Sequence, residues 1–228
     1  MHRSGKVIGV GVPKTGTATL RECFKILGIV PYASHRKDLK QKVKEGDLNE
    51  ALTEAERYQG LENTPWSMMF RELDQRFPGS KFILTTRRDA RTQAMSSWNH
   101  HLRKGRVQGE VTPDFLVSQQ RSYEWHNAAV REYFKDRPDE LLEVCWDKGD
   151  GWPQLCEFLD LPVPDVPFPR KNRGRYPTAA GVSSQGRPVP IEHIDKFLRA
   201  LHSGSLRRAL RRSRQRFLRR ARSIGSRS

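Results

Sequence analysis

The stretch that decides the fold of this chain is Gly9-Val10-Gly11-Val12-Pro13-Lys14-Thr15-Gly16-Thr17-Ala18-Thr19-Leu20. The apolar pair Val7-Ile8 before it indicates a buried strand, and apolar residues at helical spacing follow at positions 20, 23, 24 and 27. A strand, a glycine-rich loop and a helix in this order aim backbone N–H groups and a helix N-terminus at a phosphate. The loop also carries one lysine and three threonine hydroxyls, which suit the same ligand. The sequence therefore predicts an anion-binding loop.

The position of the lysine separates two kinds of phosphate loop. A nucleoside-triphosphate P-loop has the pattern G-x-x-x-x-G-K followed by Ser or Thr, whose hydroxyl holds Mg²⁺. Gly11 and Gly16 have that separation, but Thr17 and Ala18 occupy the positions of the lysine and the hydroxyl residue. The lysine lies inside the loop instead, as Lys14. This pattern argues against magnesium-dependent nucleotide chemistry.

The letters P-K-T-G-T-x-T-L resemble the 5′-phosphosulfate loop of sulfotransferases that use 3′-phosphoadenosine 5′-phosphosulfate (PAPS). The resemblance implies that Lys14 neutralises charge on the bridging oxygen during transfer. It also implies that the 5′-phosphate is bound by the loop residues Pro13, Lys14, Thr15, Gly16, Thr17, Ala18 and Thr19. A glycine-rich turn without a ligand is the alternative, and the placement between a strand and a helix argues against it.

A second group lies where the strand Lys81–Thr86 ends and a polar helix begins near Asp89. An arginine fork and a hydroxyl at this edge suit a second phosphate. Arg88 and Ser96 have the separation of the family's R-x-x-x-x-x-x-x-S pattern, which implies a site for the 3′-phosphate of PAPS. Arg87 is the alternative if the register shifts by one residue. Without the loop, a helix-start arginine and a solvent-facing serine would be the preferred interpretation.

The third element is Glu62-Asn63-Thr64-Pro65, which resembles the E-K-(S or T)-P element of carbohydrate sulfotransferases such as the heparan sulfate enzymes. The resemblance implies that Glu62 is the general base that removes the proton of the acceptor hydroxyl. Asn63 stands where that family has lysine, so the register remains open. A carboxylate stabilised by a helix N-terminus is the alternative. The histidines at 35, 100 and 101 are further candidate bases.

Arg170 and Lys171 open a late basic stretch, Arg170-Lys171-Asn172-Arg173-Gly174-Arg175. It partly matches a late R-K-G loop of the sulfotransferases, which implies a contribution to the 3′-phosphate site. Contact with an anionic acceptor is an equal alternative. Core packing is the expected use of Trp66, Trp98 and Trp152, rather than stacking on adenine or a sugar.

Alternating strands and helices predict an α/β fold, with a P-loop NTPase-like parallel sheet flanked by helices. The predicted helices include two split near Gly46-Asp47 and one over residues 65–77, N-capped by Thr64, that buries Met68. We expect a sulfotransferase domain over residues 1–203. Within it, residues 161–190 read as a lid or binding loop. Ligands gather beyond the carboxyl ends of parallel strands.

The chain of 228 residues carries a formal net charge of +16. Residues 204–228 hold ten arginines and no acidic residue, which leaves +6 for the remainder. The apolar residues Leu206, Leu210, Phe217, Ala221 and Ile224 fall on one stripe and predict a basic amphipathic C-terminal helix. We expect this helix to dock on the protein, with weak contact to an anionic membrane surface or an acidic polymer. Three scattered cysteines, no run long enough to span a membrane and no room for a signal peptide predict a soluble, cytoplasmic protein. The resemblance to the sulfotransferases implies a bacterial member of that family.

The resemblance predicts a PAPS-dependent sulfotransferase that needs no metal and acts on a hydroxyl of a saccharide, glycolipid or small metabolite. One alternative is a nucleotide kinase or NTPase on the same sheet; the displaced Lys14 and the lack of a strand ending in a magnesium-binding Asp argue against it. The other is a nucleic-acid-binding protein, suggested by the net charge and the arginine-rich segment.

Overall fold

The computed structural model describes residues 5–171. Within this range the elements are β1 (Val7–Gly9), α1 (Thr17–Ile26), β2 (Tyr32–Ala33), α2 (Lys37–Lys44), α3 (Asn49–Ala55), β3 (Gly60–Glu62), α4 (Phe70–Arg76), β4 (Lys81–Thr85), α5 (Ala90–Arg103), α6 (Pro113–Phe134), β5 (Leu141–Val144) and α7 (Trp152–Leu159). Short 3₁₀ turns cover Trp66–Met68, Pro138–Glu140 and Trp146–Lys148. The predicted helix within 204–228 and most of the predicted loop 161–190 lie outside the described residues.

The five strands form one parallel sheet in the order β2-β3-β1-β4-β5. The α/β fold expected from the sequence is confirmed: the sheet is parallel and flanked by helices, which is consistent with the expected P-loop-like fold. In the register, Gly9 of β1 lies opposite Glu62 on one side and Ile83 on the other. The segments that follow β1, β3 and β4 therefore leave the sheet at the same edge.

Both faces of the sheet are buried, because helices cover each of them. Successive side chains along a strand point alternately to the two faces. Ile8, Phe82 and Leu84 pack with α2, α3, α4 and α6 on one face. Val7 and Ile83 pack with α1 and α7 on the other. No helix among residues 5–171 is long and apolar enough to cross a membrane.

The predicted helix over residues 65–77 is wrong at its start. A 3₁₀ turn occupies Trp66–Met68, and the α-helix begins only at Phe70. The hydroxyl of Thr64 does not cap this segment, because it pairs with Nδ1 of His35 at 2.6 Å. Met68 was expected in the core and is 40% exposed. The core positions expected for Trp66, Trp98 and Trp152 are confirmed.

Gly11 tests how closely the loop after β1 approaches β4. A Cβ at this position would lie 2.0 Å from Oγ1 and 2.6 Å from the carbonyl oxygen of Thr85. We therefore expect Gly11→Ala to lower the free energy of unfolding by about 2 kcal/mol or more, measured by urea unfolding. The control is Gly46→Ala, which has open space but a φ of 89° and should cost about 1 kcal/mol. Equal losses would contradict the close approach.

Candidate functional site

The segment between β1 and α1, residues 10–16, is called the β1–α1 loop. Its backbone is left-handed at Lys14 (φ 77°) and Gly16 (φ 104°). Within residues 5–171, four successive backbone N–H groups from Thr15 to Ala18 have no hydrogen-bond acceptor. Turns of this kind, leading into a helix, concentrate N–H donors on an anion. The loop thus has the geometry of a phosphate site.

The threonine hydroxyls of the loop do not share one role. The Oγ1 of Thr15 is buried and lies 2.7 Å from both Val12 O and Thr85 Oγ1. Its side chain therefore holds the loop together, and its hydroxyl is engaged within the protein rather than open to a ligand. The hydroxyl of Thr19 accepts a hydrogen bond from the backbone N–H of Lys171 at 3.2 Å. The structure thus brings Lys171 to the first turn of α1, with the exposed Arg170 next to it.

Helix α5 runs beside the β1–α1 loop. Gln93 donates from Nε2 to the carbonyl oxygen of Pro13 at 3.0 Å. His100 lies seven residues further along the same face of α5. Its pKa is lowered, first by burial and then by the charge of Lys14. Lys14 therefore lies close to the face of α5 that carries Gln93 and His100.

The two candidate arginines after β4 differ in their surroundings. The Nε of Arg87 lies 3.1 Å from Oδ2 of Asp147, and its side chain is 22% exposed. The side chain of Arg88 is 67% exposed and lies along the first turn of α5, with Nε 3.2 Å from Oγ1 of Thr92 and 3.6 Å from Oδ2 of the exposed Asp89. Ser96, one turn beyond Thr92, is buried rather than solvent-facing. Each arginine has a carboxylate neighbour, so it is the greater exposure of Arg88 that favours it over Arg87 as a candidate for a ligand.

Glu62 ends β3 and is completely buried. Its Oε1 accepts a hydrogen bond from the hydroxyl of Ser34 and lies 3.0 Å from Nε of Arg21. Its Oε2 is buried and has no hydrogen-bond partner among the described residues. Burial raises the pKa of Glu62, and the contacts with Ser34 and Arg21 oppose that shift. The result is a carboxylate with one oxygen held by Ser34 and Arg21, a second buried oxygen without a partner among residues 5–171, and a raised pKa.

The other candidate bases, His35 and His101, differ in what their side chains contact. His35 is largely exposed, and its ring pairs with Thr64, two residues after Glu62. Its pKa is lowered, first by the partial burial of the ring and then by the cation Lys40. His101 packs its ring edge against Phe115, with Nδ1 2.8 Å from Ser97 O.

In the described part of the chain, no group of three or more His, Cys, Asp or Glu side chains is arranged to hold a metal ion.

Two further residues bracket the β1–α1 loop and are not found from the sequence. The ring of Trp146 lies against Gly16, where an added Cβ would be 2.2 Å from Cδ1, and its Nε1 donates to Gly16 O at 3.3 Å. His126 of α6 donates from Nε2 to Val10 O at 2.7 Å. Neither residue belongs to a recognisable motif, and both lie more than a hundred positions from the loop. No local signal indicates them.

Comparison with known proteins supports one family. The sulfotransferase domain family matches residues 6–104 and 89–176. Ava biosynthesis cluster protein M of Aspergillus versicolor is 28% identical over 217 residues, covering 72% of this chain and 79% of that protein. The family match includes the β1–α1 loop, Glu62 and the segment from Arg88 to Ser96.

The raised pKa of Glu62 predicts a pH-dependent stability. Above the ordinary carboxyl pKa the unfolded chain releases a proton that the folded protein still holds, so stability falls as the pH rises through the raised pKa. Glu62→Gln removes this titration. We expect the free energy of unfolding of wild type to fall relative to that of Glu62→Gln as the pH rises above about 4.5, measured by urea unfolding at a series of pH values. Parallel curves would contradict a raised pKa.

Proposed function

The chain belongs to the sulfotransferase domain family, and on that premise we propose that it transfers a sulfuryl group from PAPS to a hydroxyl of a saccharide, glycolipid or small metabolite. The observation that carries the proposal is the row of four N–H groups from Thr15 to Ala18 at the start of α1, without acceptors among residues 5–171. The donors and the N-terminal end of the helix dipole favour a phosphate at this position. The residues present therefore fit the 5′-phosphate of PAPS.

The 3′-phosphate is assigned to Arg88 and Ser96. Arg88 is exposed at the carboxyl edge of the sheet, and its guanidinium offers a planar set of donors suited to a phosphate. Arg170 and Lys171 are secondary candidates, supported by the contact of Lys171 with Thr19. In this arrangement β1 and β4, which are neighbours in the sheet, each present one phosphate site.

Bound PAPS supplies the sulfuryl group, which the acceptor oxygen attacks in line as adenosine 3′,5′-bisphosphate leaves. Lys14 neutralises the negative charge that develops on the bridging oxygen. Glu62 receives the proton of the acceptor hydroxyl on Oε2, while Ser34 and Arg21 hold Oε1. A pKa raised by burial suits this role, because a general base works best with a pKa near the working pH. The remaining contribution is positioning and preorganised charge.

The relative from Aspergillus versicolor is named as a biosynthesis cluster protein, which favours a small metabolite among the three acceptor classes. A cytoplasmic location is part of the proposal. It is supported by the three cysteines, which are all free and buried, as expected in a reducing compartment.

The nucleotide half of the proposal is tested by thermal unfolding with adenosine 3′,5′-bisphosphate in the absence of metal. At about a hundred times its dissociation constant the ligand should add roughly 2.7 kcal/mol of stability. Arg88→Ala removes charge-assisted hydrogen bonds from an exposed position, so we expect about a tenfold or larger loss of affinity and little change in unliganded stability.

The matched variant is Arg87→Ala, which breaks the pair with Asp147. It should lower stability by up to about 1 kcal/mol and reduce affinity less than Arg88→Ala does. The reverse order would show that Arg87 is the phosphate ligand. Stabilisation by ATP with Mg²⁺, but not by the bisphosphate, would replace the proposal with a nucleotide kinase or NTPase.

The role of Lys14 is tested with PAPS carrying a radiolabelled sulfuryl group and a panel of phenolic, saccharide and glycolipid hydroxyls. Lys14→Ala should reduce transfer about a hundredfold or more, because it removes a charge aimed at the leaving oxygen. Lys25→Ala, at the far end of α1, is the control and should keep wild-type transfer. Activity of Lys14→Ala within a few-fold of wild type would contradict the assignment.

A further inference from the structure

Side chains from three different elements donate hydrogen bonds to carbonyl oxygens of the β1–α1 loop. Gln93 of α5 bonds Pro13 O, Trp146 after β5 bonds Gly16 O, and His126 of α6 bonds Val10 O. The proton of each bond belongs to the side chain, because a carbonyl oxygen only accepts. Neighbouring elements therefore hold three loop carbonyls by their side chains.

The bond from Gln93 has a direct consequence for Lys14. The peptide between Pro13 and Lys14 is trans, since the cis bonds of the described chain are Val30-Pro31 and Thr64-Pro65. In a trans peptide the carbonyl of one residue and the N–H of the next point in opposite directions. Because Gln93 holds the carbonyl of Pro13 toward α5, the N–H of Lys14 points away from α5, and the left-handed residue Lys14 follows directly on the held carbonyl.

Gln93 also carries a feature that its bond to the loop does not explain. The side chain is buried, and its Oε1 has no hydrogen-bond partner among residues 5–171. The amide orientation is not open to exchange, since only the –NH₂ group can donate to Pro13 O. A buried acceptor left unpaired costs stability. The amide is thus poorly explained as a device for stability alone.

We propose that Gln93 is a positioning residue for the 5′-phosphate of PAPS. It acts through the peptide of Pro13 and Lys14, setting the position of the Lys14 side chain and the start of the row of N–H donors from Thr15 to Ala18 before the ligand arrives. The proposal rests on the function proposed above and adds a residue that touches neither phosphate. Its location supports the role, because Ser96 and His100 follow it on the same face of α5 at helical spacing.

The variant that tests this role is Gln93→Leu, which keeps the side-chain volume and removes both polar atoms. Pro13 is exposed, so its released carbonyl can be hydrated and the fold should keep its thermal midpoint. Gln119→Leu is the matched control: Gln119 is a half-buried glutamine of α6 that accepts from the hydroxyl of Ser97 at 3.0 Å and does not contact the loop.

The measurement is the affinity of wild type and each variant for two nucleotides, by calorimetry and by competition. Adenosine 3′,5′-bisphosphate occupies both phosphate sites, whereas adenosine 3′-monophosphate lacks the 5′-phosphate. We expect Gln93→Leu to bind the bisphosphate about tenfold more weakly and the 3′-monophosphate as wild type does. Gln119→Leu should bind both as wild type does.

Each other outcome has a definite meaning. Equal weakening of both nucleotides by Gln93→Leu, or a fall in its thermal midpoint with unchanged affinities, would show a merely structural residue and overturn the proposal. Wild-type affinity of Gln93→Leu for both nucleotides would overturn it as well. If wild type itself binds neither nucleotide, the proposed function fails first, and the role of Gln93 fails with it.

Discussion

The buried hydrogen bond between the hydroxyls of Thr15 and Thr85, 2.7 Å long, ties the β1–α1 loop to the end of β4. The hydroxyl of Thr15 donates its one proton to Val12 O, so the hydroxyl of Thr85 is the donor in this bond. Gly11 permits the approach, since it has no Cβ to meet Thr85. The loop is therefore positioned by the neighbouring strand as well as by its own helix. Arg88 follows Thr85 by only three residues, so both phosphate-binding candidates depend on the same anchor.

The central position of β1 extends this anchor to the rest of the fold. β1 is paired on both sides, and each face of it lies in a separate hydrophobic core. Side chains from α5, α6 and the segment after β5 reach the loop from the surrounding elements. Three carbonyls of the loop, those of Val10, Pro13 and Gly16, thus have partners from tertiary structure. Among residues 5–171, the N–H groups from Thr15 to Ala18 have no acceptor and remain for a ligand.

The part of the site that follows from the sequence is the part defined by local pattern. A buried strand, a turn with two glycines and an amphipathic helix are set by neighbouring residues, and the structure confirms them. The sequence leaves open which of Arg87 and Arg88 meets a phosphate, because Arg87 differs from Arg88 through its contact with Asp147, which lies far along the chain. Thr64 failed as a helix cap for a similar reason, since His35 takes its hydroxyl. The contact of Gln93 with Pro13 could not be predicted, because eighty residues separate the two and no sequence pattern relates their positions.

As the proposed general base, Glu62 has to meet two opposing requirements. A general base has to be ionised to accept a proton, yet it needs a proton affinity high enough to hold one. Complete burial at the end of β3 raises the pKa, and the hydroxyl of Ser34 with the guanidinium of Arg21 limits the rise. Both contacts fall on Oε1, so among residues 5–171 the charge is stabilised while Oε2 is left without a partner. A carboxylate used only for structure would gain by pairing both oxygens, and this asymmetry is the physical argument for a catalytic rather than a structural carboxylate.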